Sequence, residues 1–282
     1  MQQPGSNPRP DQPPPTDTGP IELVPEPTPP SLPGRVTLRP SCDEALDALL
    51  ADLYLHALRC IRQLGDFHLA VSTSPLGELM LRRLMYDPTL REFPWPRTRV
   101  WLVQDRDFGL GDPRTGVTWL RELLLDHSGI PENQLHAPDF SHPDPAAAYA
   151  ALFREHLGWR EKGQDRLDAV MLELDTAGAV GLAPASHPGS LCEPIPDPSI
   201  PAAIALTDAF VNAARLISVI PQRPDPREPD GIRRTLAALD RRAATPAPIQ
   251  APIRRIRPLL GELSWYLGRD ACPLDIPPQT HP

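Results

Sequence analysis

The 282-residue chain has no CxxC pair, no apolar run approaching a bilayer span and no basic-then-apolar leader, and neither a G-x-S-x-G elbow nor a P-loop. Each absence removes a class. The four cysteines, Cys42, Cys60, Cys192 and Cys272, stand far apart, which points to reduced thiols in a cytoplasmic protein rather than to disulfides or a zinc ribbon. A spanning helix needs about 20 consecutive apolar residues, so no membrane partner is expected. Without the elbow and the P-loop, the commonest serine-hydrolase and nucleotide routes are closed. Positive charge is also scarce: 28 Lys and Arg against 36 Asp and Glu leave a net charge of -8. A nucleic-acid footprint needs a clustered basic face, and only Arg254, Arg255 and Arg257 form a local one. No cofactor motif is found and none is expected to be bound.

What the chain has in excess is proline, 40 residues of it. Prolines crowd Gln2 to Pro40 and return at 131–145, 184–201, 221–229 and 246–258, so they mark linkers and loops rather than element interiors. Residues 1–34, rich in Pro, Gln, Asp and Thr, bury too little apolar surface to offset their ordering entropy. They read as a disordered arm, with a polyproline ligand for a protein partner as the alternative. One domain over 35–272 and a flexible tail over 273–282 complete the expected organisation.

Within that domain, apolar runs of strand length alternate with helical spacing. Strands are expected at Arg35–Leu38, Phe67–Ser72, Thr98–Val103, Leu167–Glu173, Ala202–Thr207, Arg215–Ile220 and Leu263–Leu267, the last closing the sheet. Leu46, Leu49, Leu50, Leu53, Ala57 and Ile61 recur at helical spacing between Ser41, a plausible cap, and Gly65. Further helices are expected at 76–86, 117–127, 145–157, 208–214 and 231–243. This alternation predicts a doubly wound α/β domain, its mostly parallel sheet covered by helices on both faces. Chemistry is then expected in loops at the C-terminal strand ends. The loop after Leu167–Glu173 carries almost none: Asp175 is its one ionisable side chain before His187.

The order of short motifs resembles the 6-phosphogluconolactonase and glucosamine-6-phosphate isomerase family, from about Arg35 to Ala271. The best part is Thr98 to His136. There an apolar strand runs into a proline-containing loop and a Leu-Leu helix, and Ile130, Pro131, Asn133 and His136 follow in the order of the family's turn. The resemblance implies an α/β fold, sugar-phosphate chemistry and a sugar-phosphate ligand. At the functional positions the chain departs from it. The family's Ser-Gly-Gly-Ser-Thr-Pro phosphate loop is Ser72-Thr73-Ser74-Pro75, without glycines but with hydroxyls at Ser72, Thr73 and Ser74. Asp-Glu-Arg becomes Asp105-Arg106-Asp107, Ser-Asn falls near Thr115-Gly116, and an expected arginine is Ala202 or Ala203. The pattern Asp-x-x-x-Leu-Gly-x-Gly-x-Asp-Gly-His falls on Asp168, Leu172, Glu173, Asp175, Ala177, Gly178 and Ala179. The family's acid is therefore Ala177, and its histidine, the base that activates water, is Ala179.

Ser72, Thr73, Ser74, Arg106 and Gly178 remain as ligand-binding candidates, with His187 and Asp105 as possible replacements in catalysis. His187 falls where the family has a phenylalanine, which favours packing over a relocated base. Asp105 and Asp107 suit an acid/base pair or a cation, but turn-forming aspartates of a solvated loop are the stronger reading. His136 and His142 lack a third ligand at metal spacing. Three functions follow: a lactonase-like pseudoenzyme kept for binding or regulation, an active lactonase or related enzyme with relocated groups, and an adaptor working through its arm.

Overall fold

Side-chain alternation decides the architecture. Along Phe67–Val71 every residue is buried; Phe67, Leu69 and Val71 enter one apolar cluster and Ala70 the other. Ala169–Leu174 divides likewise, with Val170, Leu172 and Leu174 on the side of Ala70 and Ala169 and Met171 opposite. Strands of this kind need cover on both faces, which helices supply in parallel sheets.

The computed structural model describes residues 29–109, 111–196, 202–223, 227–242 and 251–272. In chain order the elements are β1 (Arg35–Arg39), α1 (Cys42–Leu64), β2 (Phe67–Val71), α2 (Pro75–Tyr86), β3 (Thr98–Leu102), β4 (Gln104–Arg106) and α3 (Gly116–Leu120). A wide turn over Arg121–Leu125 leads to α4 (Asp126–Ser128), β5 (Leu135–His136), α5 (Pro145–Leu157), β6 (Ala169–Leu174) and β7 (Cys192–Pro194). Then come β8 (Ala203–Leu206), α6 (Asp208–Asn212), β9 (Leu216–Pro221), α7 (Gly231–Leu239) and β10 (Glu262–Gly268).

Seven strands form one sheet in the order β1-β10-β9-β6-β2-β3-β5, and every pairing in it is parallel. Residues of α1 and α2 pack on one face, those of α5, α6 and α7 on the other, so the sheet is doubly wound as expected. The longest cover is α1. Ser41 Oγ accepts the Glu44 amide at 3.2 Å, Gly65 closes the C-terminus in the left-handed region at φ 92°, and the face between carries Leu46, Leu49, Leu50 and Leu53, all buried. Burying each such side chain is worth about 1.5–3 kcal/mol.

Three departures from expectation follow from the surroundings. Ala202–Thr207 does not join the parallel sheet: β8 pairs antiparallel with β4 and β7 in a separate three-stranded sheet. That sheet also turns part of the polar loop 104–116 into strand. β10 is interior, with β1 taking the edge outside it. The helix expected over 117–127 is present from Gly116 to Ser128, its middle turn over Arg121–Leu125 wound as a π-helix.

The arm expected through Gly34 is docked from Pro29 onward. Leu32 is buried, the Trp265 indole donates to the Pro33 carbonyl at 2.8 Å, and the Arg241 amide donates to Ser31 at 3.0 Å. Gly34 passes so close to β10 that a Cβ would lie 2.3 Å from the Leu263 carbonyl oxygen; composition gives no sign of that contact. The remainder of the arm, residues 1–28, and the tail 273–282 lie outside the described residues; the helix expected over 231–243 ends at Leu239, where Asp240 turns into extended backbone. The four cysteines are free thiols. Among the described residues no helix is long and apolar enough to cross a membrane.

Candidate functional site

The sheet order reverses between β2 and β6: β3 continues on one side of β2 and β9 on the other side of β6. Connections leave the two strands in opposite directions there, and ligands of open α/β proteins bind in the resulting crevice at the C-terminal strand ends. The turn at Ser72 to Ser74 and the loop at Asp175 to Ala179 border it.

Ser74 is the N-cap of α2, its Oγ accepting the Gly77 amide at 2.8 Å. The turn is tight: the Ser74 amide donates to the Ser72 carbonyl at 3.0 Å, and a Cβ on Gly77 would stand 2.2 Å from that same carbonyl oxygen. The backbone closeness that the missing loop glycines would allow is thus provided three residues later, within the helix. Ser72 is buried and Thr73 half-buried.

The crevice is not vacant. Glu173, on β6, points its carboxylate at the start of α2, where Oε1 accepts a hydrogen bond from Ser74 Oγ. An anion at a helix N-terminus is stabilised by the unpaired amides and the helix dipole, and here the protein supplies that anion itself. Burial raises the Glu173 pKa, while Ser74 and the Gly77 amide act in the opposite direction by favouring the charged form. Behind this bond, between β6 and the helices α1 and α2, lies a void of about 10 Å³ lined by Leu46, Gly77, Met80, Met171 and Glu173 among others, room for about one water molecule.

The opposite wall is equally self-contained. Asp175 Oδ1 accepts the amides of Ala177 at 2.9 Å and Ala179 at 2.7 Å, and the Asp175 amide donates to the Ala179 carbonyl at 3.0 Å. Gly178 is buried at φ 78°, the left-handed region in which glycine is unstrained. Its carbonyl accepts the Ile253 amide at 3.2 Å. Neither Ala177 nor Ala179 has a side chain that can move a proton, and both amides are engaged.

Asp105 is buried, not part of a solvated loop. It lies on β4 and accepts the amides of Arg106 at 2.8 Å and Gly116 at 3.1 Å, capping the start of α3. A Cβ on Gly116 would meet Leu102 at 2.1 Å and Asp105 at 2.5 Å. Burial raises the Asp105 pKa to about 7, against the two amide bonds that lower it. Arg106 is exposed beside it. Asp107 caps a turn through the Gly109 amide at 2.9 Å.

His187 is exposed in another cleft, of about 590 Å³, with Asp144, Arg154 and Glu193 among its lining. Its Nδ1 lies 3.1 Å from the Pro188 carbonyl. No hydrogen bond or ion pair among the described residues joins His187 to Asp105. His136 is buried, stacked on Trp101 at 4.0 Å between ring centroids, and burial with its basic neighbours pushes its pKa down to about 3. His142 belongs to the turn before α5, accepting the Asp144 amide at 3.1 Å. No group of three or more His, Cys, Asp or Glu among the described residues can hold a metal ion.

The structure places Ser72 to Ser74 and Ala177 to Ala179 after the neighbouring strands β2 and β6, Asp105 and Arg106 on β4 of the second sheet, and His187 in the separate cleft. Sequence reasoning misses Glu173, a carboxylate where the resembled family has a glycine, because its role depends on the α2 N-terminus that it faces in the fold. It also leaves Asp168 without a role. That residue is a buried tie, bonded to Arg160 at 2.8 Å, Arg215 at 2.9 Å and the His68 amide at 2.8 Å.

Comparison with known proteins bears on the family and the fold. The profile of the glucosamine-6-phosphate isomerases/6-phosphogluconolactonase family matches residues 40–178. The human GDH/6PGL endoplasmic bifunctional protein is 27% identical over 278 aligned positions, covering 89% of this chain and 33% of that protein. The rabbit protein of the same name is 26% identical over 244 positions, covering 81% and 29%. The chain thus spans about a third of the length of these curated relatives. Among solved structures, 6-phosphogluconolactonase from Thermotoga maritima superposes with a TM-score of 0.63 at 18% identity, over 83% of this chain and 99% of that one. A monomeric glucosamine-6-phosphate deaminase gives 0.64 at 13%, over 84% and 98%. These two likenesses concern the fold. With the profile match and the curated relatives beside them, they support the glucosamine-6-phosphate isomerase/6-phosphogluconolactonase family for this chain.

Proposed function

We propose that this chain is a catalytically silent member of its sugar-phosphate family, a lactonase-like domain retained for binding or regulation. The observation that carries this reading is the Glu173 carboxylate at the N-terminus of α2, bonded to Ser74. A sugar phosphate entering the crevice would meet a carboxyl group where its own charge needs donors. Lactone hydrolysis further requires a base within reach of the attacking water. Ala177 and Ala179 supply none, and Asp175 holds the amides of both.

The second reading, an active enzyme with relocated groups, is favoured by one observation: the Asp105 pKa of about 7 suits proton transfer near neutrality. Against it, both Asp105 oxygens lie within bonding distance of the Gly116 amide, and the group is enclosed between β4 and α3. It acts there as a helix cap. The adaptor reading rests on residues 1–28, which lie outside the described residues.

The deciding experiment follows 6-phosphogluconolactone hydrolysis by the purified chain, alongside calorimetric titration with 6-phosphogluconate. The expected results are the spontaneous rate and no saturable heat. Saturable hydrolysis abolished by His187→Ala or Asp105→Asn would establish the second reading. Product binding without turnover would retain the silent reading but discard the role given to Glu173.

A further inference from the structure

At the opposite end of the sheet, the N-terminal ends of β2, β3 and β5 border a cleft of about 270 Å³ lined by Gly65, Asp66, Pro96, Arg97, Arg99, Gln134 and Trp159. Its charge is unbalanced. Asp66 is the one carboxylate among the described lining residues, and its bonds are already made: Arg160 donates to Oδ1 at 2.7 Å, and His68 Nε2 lies 3.0 Å from Oδ2. His68 Nδ1 accepts the Trp101 indole N–H at 3.1 Å, so the ring proton of a neutral His68 sits on Nε2 and is donated to Asp66. These bonds with Arg160 and His68 hold the Asp66 pKa down at about 2, against burial.

The two guanidiniums of the cleft make no hydrogen bond to a described residue. Arg99 Nε forms a loose ion pair with Asp66 Oδ2 at 3.7 Å and is buried without a hydrogen-bond partner. Gln134 turns its amide nitrogen to the Pro96 carbonyl at 3.0 Å, leaving Oε1 with nothing to accept. The nearby imidazoles of His136 and His156 both have lowered pKa values, burial first and Arg99 among the further causes. They add no compensating negative charge. Trp159, 60% exposed, offers the remaining wall a large flat apolar surface.

We propose that this cleft binds a small oxyanion, phosphate or carboxylate, carried on a flat ring: the anion between Arg97 and Arg99, the ring against Trp159. Guanidinium forks match carboxylate and phosphate oxygens in pairs. An indole face suits a planar apolar group. A phenyl-sized ligand fits the volume. The site is distinct from the β2/β6 crevice, so its occupancy does not depend on the state of Glu173.

Titration of the full chain with phenyl phosphate, read by tryptophan fluorescence and calorimetry, tests the proposal, with benzoate and inorganic phosphate as separate arms. Saturable binding with a Kd of about 1 mM or tighter is expected for phenyl phosphate or benzoate, and the comparison of the two identifies the preferred oxyanion. Inorganic phosphate should bind more weakly and compete. Arg97→Glu and Trp159→Ala each change an exposed side chain and are expected to leave the fold intact; each should weaken binding about tenfold or more. Binding should persist in Glu173→Gln. Absence of saturable binding by both ring-bearing probes overturns the proposal. So does binding left unchanged by either exposed-residue variant in a protein that still melts cooperatively.

Discussion

Ser74 Oγ donates to the Glu173 carboxylate while accepting the Gly77 amide, so one hydroxyl joins the end of β6 to the start of α2 across the crevice. The bond closes the place where an open α/β sheet ordinarily receives its ligand. Substituting Glu173 by glycine, the residue of the resembled family pattern, removes both the carboxylate and its Cβ. Titration with 6-phosphogluconate should give saturable heat for Glu173→Gly and none for the parent. Glu173→Gln keeps the bulk without the charge, and should gain less than Glu173→Gly. Equal behaviour of parent and Glu173→Gly would show that the carboxylate is not what excludes the ligand.

Asp105 makes stability depend on pH in a recognisable direction. Its pKa is about 7 in the fold against about 4 in an unfolded chain, so the folded state holds the extra proton between those values. Its contribution is fully present below about pH 4 and is lost as pH rises through 7. Asp105→Asn retains an oxygen acceptor and cannot ionise. Thermal melts across that interval should therefore show the parent losing stability relative to Asp105→Asn, with the gap levelling off above pH 8. A gap independent of pH would place the Asp105 titration outside this range.

The docked end of the arm separates two truncations. Removing residues 1–28 should leave Tm within about 2 °C of the parent, because a stretch this rich in Pro, Gln, Asp and Thr offers little apolar surface to bury. Removing residues 1–34 also takes away Leu32 and the Pro33 carbonyl that receives the Trp265 indole. Losing a buried leucine at about 1.5–3 kcal/mol should lower Tm by roughly 5 °C. Equal melting of the two would mean that Leu32 contributes nothing by its burial.

The parallel sheet was legible because near-continuous apolar runs such as Phe67–Val71 and Ala169–Leu174 have few alternatives to a doubly covered strand. What escaped was set by contacts distant in sequence. β4 is polar and short, and becomes a strand through pairing with β8 almost a hundred residues later. Leu32 sits among prolines, and is buried by joining the cluster that also holds Ile253, Ile256 and Trp265. In the crevice, the losses at Ala177 and Ala179 could be read position by position. The gain at Glu173 could not, since a carboxylate on β6 acquires its meaning from the α2 N-terminus it faces. The same holds for Asp105, whose turn-like context gave no warning of burial against Gly116.

Restoring activity should require more than restoring a base. Ala179→His with Ala177→Asp returns the family's titratable pair, and general base catalysis is typically worth about 10²- to 10⁴-fold. That factor is realised only when substrate is held beside the base. With Glu173 still bonded to Ser74, the phosphate has no place at α2. The double variant should therefore hydrolyse 6-phosphogluconolactone at the spontaneous rate, as should Glu173→Gly alone, which lacks the base. Only the triple variant should show saturable turnover, below that of an active family member, because Asp175 continues to hold the Ala179 amide at 2.7 Å. The kinetics would then be strongly non-additive, as for groups that act as one unit. Turnover by Ala177→Asp/Ala179→His with Glu173 unchanged would show that the carboxylate yields to substrate, and that the missing base alone keeps this chain silent.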